Sequence, residues 1–168
     1  MVLVMCAGNS CRSPFFAALL SSAVRVTITS GAYLRPAASV DSRAVLAAQT
    51  LASEGLVDAG LPEALARHRP TMVSPEQLAD TSFTVILDES LARFWNRQRG
   101  TKGRPIRALF ENALIAAPVR FVAASDDAFE LGRCGGSDEA VVAAYTRQQR
   151  ALVSNAADVA RWLRHLAD

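Results

Sequence analysis

Residues 1–18 constrain the fold more than any other stretch, because they read as strand, loop and helix in immediate succession. Val2, Leu3, Val4 and Met5 make the short apolar run that fills a buried parallel strand. Ser13 followed by Pro14 is a helix start, with a hydroxyl at the N-cap and proline at the first helical position. Between them lies Cys6-Ala7-Gly8-Asn9-Ser10-Cys11-Arg12, a loop with a thiol at one end and a guanidinium at the other. Backbone N–H groups curling into a helix N-terminus make an anion cradle, and the helix dipole adds about half a positive charge there. Ala7, Gly8, Asn9, Ser10, Cys11, Arg12 and Ser13 are therefore expected to surround a phosphate. Arg12 can grip two of its oxygens with a planar fork that lysine lacks, and Gly8 and Asn9 accept the positive φ angles of a tight curl. Cys6, at the strand end, points into the same field, where N–H groups, dipole and Arg12 all favour a nucleophilic thiolate. Ser13 is placed to hydrogen-bond that sulfur.

An isolated cysteine is usually a small buried hydrophobe, and Cys and Arg at this spacing occur in many chains. The strand before, the capped helix after, and the Gly-Asn and Ser between them make the catalytic reading the stronger one. The rest of the composition suits a compact enzyme. A chain of 168 residues is one domain, residues 1–168, long enough to bury roughly 70% of the surface its unfolded form exposes. A net charge of +2 gives no case for a nucleic-acid partner. Three cysteines cannot all pair, so reduced thiols in a cytoplasm are expected. No signal peptide is visible and no stretch approaches the ~20 apolar residues of a membrane span, so no membrane partner is expected. A zinc reading of Cys6 and Cys11 lacks a second close Cys or His pair.

Strand and helix go on alternating. A strand is expected over residues 25–30, a variable loop over 32–40, and a helix from Asp41 or Ser39 to about Glu54, closed by Gly55. A short helix follows over 62–67, then a capping-box turn at Ser74-Pro75-Glu76-Gln77. A strand at 83–87, a helix at 89–99, strands at 106–110 and 119–122, and a long helix capped by Ser137 complete the pattern. That last helix keeps apolar residues at 141, 145, 152, 156, 159, 163 and 166. The alternation predicts an α/β fold: a single three-layer domain, a four-stranded parallel sheet with helices on both faces, and a phosphate-binding loop after the first strand. Ligands of such sheets bind beyond the strands' carboxyl ends, where strand order reverses, so Cys6, Ser30 and Asp88 should share one edge.

The run from Val2 to Pro14 resembles the active-site signature of the low-molecular-weight protein tyrosine phosphatases: Cys, any residue, Gly-Asn, a variable residue, Cys-Arg-Ser-Pro, on the first strand. Further along, Ile28-Thr29-Ser30-Gly31-Ala32 resembles that family's second strand and Ser-Ala-Gly turn. Asp41-Ser42-Arg43-Ala44 is similar to its Asp-x-Arg-Ala helix start, and Ile86-Leu87-Asp88 to the end of its third strand. The resemblance spans the chain, strongly over the first fourteen residues. It implies a protein phosphatase directed at phosphotyrosine, working through a phosphocysteine on Cys6, with no metal and no cofactor. Its partner would be a phosphorylated protein, and a monomer or weak dimer is expected.

The family's general acid is the Asp of an Asp-Pro-aromatic motif on a late loop, and this chain has no Asp-Pro. Asp126-Asp127-Ala128-Phe129 is the nearest equivalent, and alignment on Phe129 selects Asp127, with Asp126 as fallback. The resemblance also implies a supporting hydrogen-bond network of Asn9 with Ser30, and a protective reversible disulfide between Cys6 and Cys11. Asp88 either caps the helix after it or orients Arg12. His68 resembles a histidine on a family structural loop; His165 is read as structural, Trp95 and Trp162 as core anchors, and Tyr33 or Phe129 as a pocket wall. Cys134 has no evident role. Ser10 stands where tyrosine-directed members carry an aliphatic residue and protein arginine phosphatases a threonine, which keeps phosphoarginine open as a substrate. Arsenate reduction lacks the mid-chain resolving cysteines it needs, and a non-catalytic phosphate-binding module would keep the cradle without a working acid.

Overall fold

Val2–Cys6 forms strand β1, and all five residues are buried. Side chains alternate along a strand, so a strand without an exposed face is covered on both sides. The computed structural model describes residues 1–87, 113–114 and 127–167. In it β1 pairs in parallel with β2 (Ile28–Ala32) on one side and β3 (Phe83–Ile86) on the other. The two residues of β4 (Ala113–Leu114) extend the sheet beyond β3, in the order β2-β1-β3-β4. Parallel neighbours need crossovers. α1 (Arg12–Ala23) joins β1 to β2, while α2 (Ser42–Ser53), α3 (Leu61–Arg67) and α4 (Pro75–Ala79) lie between β2 and β3. α5 (Ala128–Arg133) and the long α6 (Asp138–Ala167) follow, giving a three-layer α/β fold.

One core holds the sheet to its helices: Val2, Val4 and Val85 pack with Phe15, Phe16 and Leu20 of α1, Leu51 of α2 and Leu152 of α6. Burying side chains of this size contributes about 1.5–3 kcal/mol each. Leu3, Met5 and Ile86, on the opposite face, are equally inaccessible to solvent. Trp162 stacks edge-on against Phe83, with ring centroids 5.6 Å apart.

Several boundaries follow local chemistry. Asp41, not Ser39, caps α2 by accepting from the Arg43 N–H, and the helix ends in a Schellman pair, Leu56 N–H to Leu51 O and Gly55 N–H to Ala52 O, with Gly55 at φ +73°. Ser74 and Gln77 exchange the two bonds of a capping box, and the Ala140 N–H donates to Ser137 Oγ at the head of α6.

Strand β2 departs from expectation, running 28–32 rather than 25–30. Pairing with β1 decides this: Ile28 sits opposite Val2 and Ala32 opposite Cys6, while Arg25 and Thr27 are exposed. The expected helix at 89–99 and strands at 106–110 and 119–122 lie outside the described residues, as do Asp88, Trp95 and Asp126. Among the described residues no helix is long and apolar enough to cross a membrane.

Candidate active site

The sheet order reverses at β1, so the chain leaving Cys6 enters the crevice beyond the strands' carboxyl ends. The carbonyls of this loop are bound from the flank. Tyr33 N–H donates to Cys6 O, Leu34 and Arg35 N–H to Ala7 O, Ala37 N–H to Gly8 O, and His68 Nε2 lies 3.1 Å from Asn9 O. A trans peptide aims its N–H opposite to its C=O, so fixing these four carbonyls turns the amides of Ala7, Gly8, Asn9 and Ser10 the other way. Those amides and that of Cys11 donate to none of the described residues. The loop borders a cavity of about 600 Å³, whose floor is Cys6, Ala7, Gly8, Ser10, Cys11 and Arg12.

Asn9 and Ser13 stand behind this floor, both fully buried. Asn9 takes φ +52°, a left-handed turn that asparagine tolerates better than most residues; Gly8, expected to share it, does not have a positive φ. Asn9 Oδ1 accepts from Ser13 Oγ at 2.9 Å, and Asn9 Nδ2 donates to Thr71 O at 3.4 Å. Ser13 Oγ also lies 3.1 Å from Cys6 Sγ. A hydroxyl has one proton to give. With Cys6 protonated its S–H donates to Ser13 and Ser13 donates to Asn9; with Cys6 ionised the Ser13 proton can turn to the sulfur.

Two expectations are corrected here. Ser13 does not cap α1, whose N-cap is Cys11 without a side-chain bond, because the serine hydroxyl is committed to Asn9 and Cys6. Ser30 does not support Asn9. The register places it opposite Val4, two residues or roughly 6.6 Å short of the Cys6 level, and Thr71 takes the role instead.

Asp127 lines the same cavity as Cys6 and Arg12. Its Oδ1 caps α5, accepting from Phe129 N–H at 2.9 Å and Glu130 N–H at 3.4 Å, which fixes the carboxylate relative to the cleft. The apolar walls are Leu34, 67% exposed, and Phe129, 55% exposed; Leu34 and not its neighbour Tyr33 lines the cavity. Cys134 is exposed and not part of the lining.

Cys11 is buried, and burial, only partly offset by the Gln149 side chain, pushes its thiol up to about 12. It therefore stays protonated at neutral pH. Both Cys6 and Cys11 are free thiols. Gln149 of α6 reaches this point by donating to Ala44 O at 2.8 Å and contacting Cys11 Sγ at 3.9 Å. Tyr145, also in the lining, donates to Asp41 Oδ2 at 3.2 Å, and burial first, with the neighbouring Asp41 carboxylate adding to it, pushes its hydroxyl well above its ordinary range. Asp41 in turn holds Arg43 through both oxygens. Sequence periodicity marked Tyr145 as a core position, but Gln149 and Thr71 carried no signal, since each acts through a partner far away in the chain.

The described three-layer architecture is that of the low-molecular-weight protein tyrosine phosphatase fold. A phosphotyrosine phosphatase of that class from Vibrio cholerae O395 superposes with a TM-score of 0.64 over 99% of this chain and 98% of its own, at 17% identity. The tyrosine phosphatase Wzb from Escherichia coli K30, solved with sulphate, gives 0.57 over 94% and 96% at 19% identity. The arginine phosphatase YwlE from Geobacillus stearothermophilus gives 0.54 over 94% and 91%, also at 19%. No protein-family model matches the chain, and no curated protein is significantly similar to it in sequence.

Proposed function

We propose that this protein is a cysteine-dependent phosphatase acting on phosphorylated proteins, phosphotyrosine first, without metal or cofactor. One observation carries the reading: Cys6, Arg12, Asp127 and the outward-turned loop amides border a single cavity. The Cys6 thiolate attacks phosphorus and forms the P–S bond while the P–O ester bond breaks, and Asp127 gives its proton to the departing phenolate. Charge on the three equatorial oxygens is met by the amides and Arg12. Asp127 then takes a proton from water, which attacks the phosphocysteine and releases phosphate and the thiolate. Leu34 and Phe129 supply apolar walls suited to a phenyl ring.

Phosphoarginine is the second reading, favoured by one feature: Ser10 lies in the cavity lining and brings a hydroxyl that could hold a guanidinium. The test is turnover of para-nitrophenyl phosphate, phosphotyrosine and phosphoarginine by wild type, Cys6→Ser and Asp127→Ala. Cys6→Ser should abolish turnover, and Asp127→Ala should lower kcat by about 100-fold or more. Full activity in Asp127→Ala would reject the acid assignment, and an inactive wild type would favour a phosphate-binding module.

A further inference from the structure

The loop after β2 is shared by two cavities. Leu34, Arg35 and Ala38 line the one that holds Cys6, and Ala38 also lines a second, of about 520 Å³, walled on its far side by residues 66–70. The lining of the second includes Arg67, His68 and Arg69 and no carboxylate. Arg67 is compensated by an ion pair with Glu63. Burial lowers the pKa of His68 against the opposing pull of its bond to Asn9 O, so it is neutral at pH 7. Arg69 and Arg35 are both exposed, and neither side chain pairs with a carboxylate among the described residues. In the first cavity Glu130 is already committed to Arg133. Apart from Asp127, which is assigned to the leaving group, the charge left uncompensated among the described lining residues is positive in both cavities, and Ala38 lines both.

We infer that the groove from Cys6 over Ala38 to Arg69 binds the peptide flank of a phosphorylated substrate and selects acidic side chains there, Arg35 and Arg69 being their contacts. The inference rests on the phosphatase reading for what occupies the cradle. Charge selection is nonetheless a binding property and can be read without turnover.

The experiment uses the full chain carrying Cys6→Ser and fluorescent phosphotyrosine peptides with glutamates on the amino side, on the carboxyl side, or replaced by glutamine, with affinity read by anisotropy at low and high salt. One glutamate-flanked peptide should bind about fivefold more tightly than its glutamine counterpart, and salt should erode the preference. Arg69→Gln and Arg35→Gln should each reduce that ratio, and Arg69→Lys should keep it. Each ratio is taken within one protein, so a partly unfolded variant does not distort it. Equal affinity for acidic and neutral peptides, or a ratio that survives both glutamine substitutions, overturns the inference. Para-nitrophenyl phosphate turnover by the wild type judges the phosphatase reading separately: turnover without acid preference sinks the groove alone, and absence of both turnover and phosphopeptide binding sinks the two together.

Discussion

At the scale of single residues, Asn9 is where the cradle's backbone and side-chain demands meet. Its φ of +52° turns the loop, while its buried amide joins the buried Ser13 to the Thr71 carbonyl. The two demands can be separated by substitution. Asn9→Gly keeps the left-handed turn and loses the bonds, leaving Ser13 without its acceptor at a cost of about 1–3 kcal/mol. Asn9→Ala loses the same bonds and also strains the backbone, adding about 1 kcal/mol. Urea unfolding should therefore rank wild type above Asn9→Gly and Asn9→Ala last, with both variants slower on para-nitrophenyl phosphate because Ser13 no longer positions the Cys6 sulfur. Equal stabilities for the two variants would mean that the turn carries no strain.

Among elements, the return of the chain along the edge of β2 is what brings the cradle its supports. Ala32 N–H donates to Thr71 O at 2.7 Å and Val73 N–H to Ala32 O at 3.1 Å, and this pairing delivers Thr71 to Asn9. Gly31 permits the approach, since a Cβ there would lie 2.5 Å from Val73 Cγ2 and 3.2 Å from its Cα. Gly31→Ala is expected to push residues 71–73 off the strand, costing about 1–3 kcal/mol and lowering kcat along with stability. Adding Val73→Ala removes the nearest clashing atom and should recover part of both, a non-additive pair in a double-mutant cycle. Strict additivity would show that the contact is not what Gly31 is for. The same segment marks the limit of what the sequence discloses. β1, the start of α2 and the Ser74 capping box obey rules spanning a few residues, and all were legible. Thr71 supports Asn9 from 62 positions away, whereas Ser30, chosen by resemblance, is held in the wrong register by β1. Tyr145 was legible as a core position because its period is helical; its hydroxyl bond to Asp41, 104 positions distant, was not.

For the molecule as a whole, one titrating group holds the cradle directly and another holds the helices beside it, and both act in the same direction. On one flank His68 binds the Asn9 carbonyl; on the other, Asp41 ties the heads of α2 and α6 together through Arg43, Asp138 and Tyr145. Burial lowers the His68 pKa below its ordinary 6.5, against the opposing effect of its bond to Asn9. The unfolded chain then binds more protons than the folded one, so this contribution is intact above pH 6.5 and lost as pH falls through the lower folded value. Burial would raise the Asp41 carboxyl, but hydrogen bonds from the side chain and backbone of Arg43, its charge and the Tyr145 hydroxyl outweigh that and hold it below 3.8. Its contribution is present above pH 3.8 and lost as pH falls through the depressed value. Two substitutions isolate these steps. His68→Gln keeps an amide donor without a titrating ring, and Asp41→Asn keeps an N-cap while losing the charge that pairs with Arg43. Urea midpoints measured over a pH series should show the wild type's stability relative to His68→Gln declining below about pH 6.5, and its advantage over Asp41→Asn shrinking only at the acid end. A wild type that gains on His68→Gln upon acidification would reverse the sign, and with it the claim that the cradle's flank is held by a neutral imidazole.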